Sequence, residues 1–342
     1  MIRIQYFHTL LSLIALLWLP VSLDAGLLNP FSWFSSDSKS QVVNDYSLDN
    51  QSATKRLTKA ERYQAQGKEA LAQRIYKRIV KNYPKTKAAA VAALKRGTFL
   101  QNKGRYTEAF ETYAIVIQYH PDSSDLEAVI EGQYTCAVNQ MHTRTSSLLG
   151  MLTSDRFNTE AIPLFQDFAN FYPYHKKTPQ AYMQIAKIAR DNNQQDVAIE
   201  ALKKIINDFS GQPITEDAYF AMAHIYSEFI KGPEYDLEST REAIRYCEDF
   251  IALFPKSADF GTIVALYERM VNTLAQNRLH LADYYYFNKR NTVAALIFYN
   301  EVIDIAPNSE ASSEALKRID SINKGLQPTT GTNFFKRLLF IQ

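Results

Sequence analysis

Few residues of this 342-residue chain have a type and spacing suited to chemistry. His224 and Glu228 stand one helical turn apart, as two metal ligands on a single helix would, but no further ligand accompanies them. They read as a surface pair. The run Asp191-Asn-Asn-Gln-Gln-Asp196 imitates the start of a calcium loop, but Asp196 stands where that loop needs glycine and Leu202 where it needs a bidentate glutamate. It reads as a polar turn between helices. Gly67-Lys68 lacks the earlier glycine of a phosphate-binding loop, and neither GxSxG nor HExxH occurs. Cys136 and Cys247 form no CxxC or zinc spacing and fall in distant segments, so two buried free thiols are expected. The expectation is a chain that is not an enzyme and carries no metal or cofactor.

What remains is charge. The net charge is +2, from 38 basic and 36 acidic residues, but the placement is uneven. Between Gln51 and Arg105, 15 Lys or Arg stand against two acids, Glu61 and Glu69; from Tyr106 to the last residue, 21 stand against 30. A basic first part followed by an acidic remainder suggests an anionic partner, whether phosphate head groups, nucleic acid or an acidic protein face. Lys55, Lys59 and Arg62 recur at i, i+4 and i+7, and so do Arg74, Arg78 and Lys81, so each set forms a stripe along a helix.

The elements that position these residues are repeats. Hydrophobic residues make up 46% of the chain, charged residues 22%, and there are only 11 glycines and 12 prolines, which excludes disordered and fibrous classes and argues against many β-turns. Six segments place alanine, a large residue four later and an apolar residue three after that. They are Ala72/Tyr76/Ile79, Ala109/Tyr113/Val116, Ala161/Phe165/Phe168, Ala198/Leu202/Ile205, Ala243/Cys247/Phe250 and Ala295/Tyr299/Val302. Five further residues on stands Pro84, Pro121, Pro173, Pro255 or Pro307, with Ser210 in the fourth segment. Offsets of four and three put the stripe on one helix face, and the proline ends the helix. In the first two segments Gly67 or Gly104, five residues before the alanine, closes an earlier helix that carries Ala60 and Tyr63, or Gly97 and Leu100. These helix pairs resemble the tetratricopeptide repeat, stretched to alanine spacings of 37, 52, 37, 45 and 52. The fold expected is all-α, a right-handed superhelical solenoid of about six helix pairs, which favours binding over catalysis.

The N-terminus reads as an export signal. A short polar start with Arg3 precedes the apolar run Leu10–Leu19, then Pro20, with a cleavage position after Ala25. Even extended to Leu23, the run makes about 21 Å of helix, short of a bilayer's ~30 Å. The organisation expected is a signal peptide over 1–25, a tether over 26–52 that includes the Asn29–Phe34 patch, a repeat domain over 53–327 and an apolar tail over 328–342. The tail segment Phe334–Ile341 is expected to cap the last repeat. The insertion from Met141 to Phe157 holds Thr143-Arg-Thr-Ser-Ser147 and reads as a loop.

Export signal, Tyr83-Pro-Lys-Thr86, Phe254-Pro-Lys-Ser257 and the stretch Leu281-Ala-Asp-Tyr-Tyr-Tyr286 before Asn291-Thr-Val-Ala-Ala295 together resemble the BamD family of outer-membrane barrel-assembly lipoproteins. The likeness covers about Ala53 to Gln327 and departs from the family in showing six repeats rather than five and no cysteine near the apolar run. The resemblance implies a non-catalytic periplasmic scaffold at the outer membrane. It would bind the barrel assembly factor and nascent barrel segments, with possible membrane-surface contact and no nucleic acid. A periplasmic tetratricopeptide adaptor for cell-wall or division machinery is the alternative. Under the resemblance Thr98 and Gln101 line the groove for extended substrates, and of Tyr284, Tyr285 and Tyr286, set about 100° apart on a helix, at most two are core and one faces a partner. The Arg74 stripe, opposite the Ala72/Tyr76/Ile79 face, is placed on the convex side.

Overall fold

The structure, a computed structural model, describes residues 46–143, 156–230 and 237–326. The signal-peptide, Asn29–Phe34 and C-terminal tail readings, and the insertion from Arg144 through Asp155, lie outside these residues. The described residues form thirteen α-helices: α1 Tyr46–Ala65, α2 Glu69–Asn82, α3 Lys87–Asn102, α4 Tyr106–Tyr119, α5 Leu126–Met141, α6 Ala161–Phe171, α7 Thr178–Asp191, α8 Gln195–Asp208, α9 Ile214–Glu228, α10 Leu237–Leu253, α11 Phe260–Asp283, α12 Thr292–Ile305 and α13 Glu310–Asn323. A π turn, Tyr284–Asn288, follows α11. Because α1 starts at Tyr46, the last part of the segment read as a tether is helical.

The chain forms two compact units, Met1–Ala93 and Leu94–Gln342, divided within α3. In the first, α1 packs on α2; in the second, each helix from α4 onward packs on its successor, and α13 also touches α11. Helix pairs in sequence order are the tetratricopeptide arrangement. All eighteen residues of the alanine/large/apolar stripes are at most 2% exposed. Burying each large apolar side chain contributes about 1.5–3 kcal/mol, far more than helix propensity does, so the stripes dictate the packing.

Within a pair the turn is a left-handed one. Gly67 (φ 71°) and Gly104 (φ 73°) close α1 and α3. Gly67 N–H donates to Gln64 O and Lys68 N–H to Tyr63 O, and the same two bonds recur from Gly104 to Gln101 and from Arg105 to Leu100. Asn193 (φ 58°) takes the glycine's place after α7, with Gln194 N–H donating to Ala189 O at 2.8 Å. Between pairs the turn is fixed by a hydroxyl. Thr86 Oγ1 donates to Tyr83 O at 2.8 Å, Thr215 Oγ1 to Phe209 O at 2.7 Å and Ser309 Oγ to Ala306 O at 2.8 Å. Ser309 also caps α13 by accepting from Ser312 N–H.

Candidate interaction surfaces

Lys55, Lys59 and Arg62 are all exposed on α1, and Arg74, Arg78 and Lys81 are all exposed on α2. The α2 cations lie away from buried Ala72, Tyr76 and Ile79, as the spacing requires. Neighbouring rings hold part of this charge. Lys59 Nζ stands 5.8 Å from the Tyr63 ring centre, and the Arg56 guanidinium 5.8 Å from that of Tyr83. Tyr76, at the centre of the unit's core, donates to Gln64 Oε1 at 2.8 Å. Burial, with Glu61 and Glu69 nearby, pushes its phenol up to about 12.

Thr98 and Gln101 belong to the other unit and do come together, on Tyr113. The Tyr113 hydroxyl lies 3.2 Å from Thr98 Oγ1 and donates to Gln101 Oε1 at 3.2 Å. The ring passes between two glycines: a Cβ on Gly132 would stand 2.8 Å from it, and one on Gly97 closer still. Gln101 is half-buried in this role, whereas Thr98 is exposed. Both residues therefore have a structural duty that spacing did not reveal.

The three tyrosines fall on the π turn and take three different environments. Tyr286 is buried and donates to Leu326 O at 3.0 Å. Tyr285 stacks on Phe298 at 5.3 Å, and Tyr284 is 43% exposed with Lys289 Nζ 5.5 Å from its ring centre. Tyr299 of α12 donates to Asp283 Oδ1 at 2.5 Å; burial, and next that bond, raise its phenol well above the usual range.

The pair of His224 and Glu228 is corrected. Glu228 pairs instead with Arg190 of α7, while His224 is half-buried with its ring 4.4 Å from that of Phe220. Burial, with Arg190 beside it, lowers the imidazole pKa. Among the described residues no cluster of three metal-capable side chains forms. Cys136 and Cys247 are buried free thiols, as expected, pushed up to about 12 by burial. The Asp191–Asp196 run is the α7–α8 turn, also as expected.

Sequence reading missed an aromatic cluster on α9 and α10. Tyr226 stacks on Tyr246 at 5.6 Å, and Arg245 lies 4.0 Å from the Tyr246 ring centre while reaching Glu242 and Asp249. Its hydrogen bond to Arg245 holds the Glu242 carboxyl below the usual range. The only local signal was the density of tyrosine over 219–246.

Paired helices, buried alanine stripes and left-handed joints define a tetratricopeptide-repeat protein, and residues 59–86 and 91–123 match that repeat family. Residues 151–337, more than half of the chain, match the family described as outer membrane lipoprotein, YfiO, and the chain belongs to it. The outer membrane protein assembly factor BamD of Caulobacter vibrioides is 24% identical over 166 residues, which cover 48% of this chain and 54% of that protein. The chain thus spans about half the length of this curated relative. A crystal structure of a tetratricopeptide repeat protein from Parabacteroides merdae matches 78% of this chain and 98% of its own at 14% identity, with a TM-score of 0.29. That superposition is too loose to carry an argument. Among the described residues no helix is long and apolar enough to cross a membrane.

Proposed function

We propose that this chain is a non-catalytic scaffold in the assembly of outer-membrane β-barrel proteins, acting in the periplasm at the outer membrane and binding the barrel assembly factor. The observation that carries the reading is the family match over residues 151–337, together with the likeness to BamD over part of the chain. The described residues suit it. They offer ridged helical faces with charged stripes and exposed aromatics, and both cysteines are buried as thiols. In this reading Lys55, Lys59, Arg62, Arg74, Arg78 and Lys81 meet an anionic face of a partner or the membrane surface. Tyr284 and Tyr285 meet the assembly factor, and Thr98 with Gln101 borders the path of an extended barrel segment.

The test is purification of a C-terminally tagged copy from detergent-solubilised envelope, with mass spectrometry of what accompanies it. A barrel assembly factor in stable proportion is the expected result. Cell-wall or division proteins alone would overturn the reading in favour of the adaptor.

A further inference from the structure

The last helix pair leaves part of its apolar surface uncovered. Its core of Tyr286, Ala295, Tyr299, Val302 and Ala315 is buried, but the large side chains packed around it, among them Phe287, Phe298, Ile305 and Ile319, are only partly so. A helical stack must cover its open end. Beside this core lies a cleft of about 670 Å³, lined by Tyr267, Glu268 and Val271 of α11 and by Ile305, Pro307 and Glu310 at the α12–α13 turn. The cleft sets Val271, Ile305 and Pro307 among the polar side chains of Asn272, Gln276, Asn308 and Ser309 and two carboxylates.

We propose that this cleft seats the chain's own segment Phe334–Ile341. Direction is the first argument. Gly325 (φ 67°) ends α13 in a left-handed turn in which its own N–H donates to Ile322 O and Leu326 N–H to Ser321 O, so the chain leaves the helix axis there. Tyr286 then fixes Leu326 by its carbonyl. The register also agrees. Glu310, which lines the cleft, starts α13, and Leu326 lies just past its end; on α11 the cleft takes residues from Tyr267 to Gln276, and Tyr286 lies just past that helix's end. The cleft and the Tyr286–Leu326 bond therefore mark opposite ends of one stretch along α11 and α13, which touch.

Length comes next. The fourteen residues of α13 span about 21 Å, and the eight residues from Gln327 to Phe334 reach about 26 Å when extended, enough to return to the cleft. Finally, the segment matches the cleft chemically. Lys336 and Arg337 bring positive charge to Glu268 and Glu310, and the apolar residues on either side of them have Val271, Ile305 and Pro307 to meet. Docking this segment covers the last pair from within the chain.

The test uses the full chain. Asn308, exposed at the cleft, and Arg337 are replaced in Asn308→Cys/Arg337→Cys, while Cys136 and Cys247 are buried and stay silent. Mild oxidation of dilute protein is expected to join the new thiols within one chain, read as a linked peptide in a monomeric band. Free thiols overturn the proposal. Links only between chains also overturn it, and give the cleft to a second copy.

A second readout is hydrogen exchange over 267–276 and 305–311. Phe334→Asp/Phe335→Asp should speed exchange there by about tenfold, and Lys336→Glu/Arg337→Glu should do so in part, with Glu268→Lys/Glu310→Lys restoring protection to the charge variant. Unchanged exchange in the Phe variant overturns the proposal.

Discussion

Repeats two and six place a tyrosine at the same packing position and complete it in different ways. In repeat two the Tyr113 ring lies between Gly97 and Gly132, and its hydroxyl meets two uncharged groups, Thr98 and Gln101. In repeat six Tyr299 donates to the carboxylate of Asp283, which Arg318 also approaches, its Nε 3.5 Å away. Repeat one follows repeat two: Gln64 lies twelve residues before Tyr76, as Gln101 lies twelve before Tyr113. Repeats three to five carry Phe165, Leu202 and Cys247 there, and none of these needs a hydroxyl partner. The large position therefore fixes shape alone. A hydroxyl on it dictates what the facing helix must carry, which gives Gln101 a structural role.

The comparison can be broken at several points. The largest effect should come from Tyr113→Ala and Tyr299→Ala, each costing about 3–5 kcal/mol in denaturant unfolding, since both rings are almost wholly buried. If only one did so, the two positions would not be equivalent. Next, Gly97→Ala pushes a Cβ into the Tyr113 ring and should cost about 1–3 kcal/mol. In a Tyr113→Ala background the same change should instead stabilise by about 0.5–1 kcal/mol, because alanine favours the helix. The difference is a coupling energy read from a double-mutant cycle.

Removing the hydroxyls separates the two repeats. Tyr299→Phe deletes a bond to a charged group and should cost about 1.5–3 kcal/mol, against about 0.5–1.5 kcal/mol for Tyr113→Phe. Equal costs would show that the Asp283 carboxylate adds nothing. The smallest effect is alkaline. The Tyr299 phenol is raised in the fold, so its contribution is complete below the unfolded value of about 10 and is lost as pH climbs above it. Melting temperature measured from pH 8 to 11 should therefore fall in the wild type and fall less in Tyr299→Phe.

Much of the fold was legible because it is periodic. All six stripes, the helix ends at the prolines and the joints at Gly67 and Gly104 follow from spacing and backbone freedom, which any one segment displays. Asn193 belongs to the polar run that reads as a turn, but Arg290 (φ 52°) does a glycine's work without being glycine, so its left-handed turn left no mark in the sequence. The binding surfaces were legible only as charge. That six cations on α1 and α2 would be exposed follows from the helix wheel, but Glu228 choosing Arg190 over His224, or Thr98 and Gln101 converging on Tyr113, depends on which helices meet. Such pairings have no local period to read.

The π turn at Tyr284–Asn288 carries a genetic consequence. A π turn holds one residue more than the α-helix it interrupts, so it has the form of a single-codon insertion. Deleting one of these five codons would let α11 run on as an ordinary helix; because the turn absorbs its extra residue, the chain beyond would keep its direction while the side chains within the turn change places. Tyr285 would then lose Phe298, and Tyr286 would lose Leu326. The reading frame would survive such a deletion, but the contacts that this turn makes with the last helix pair would not.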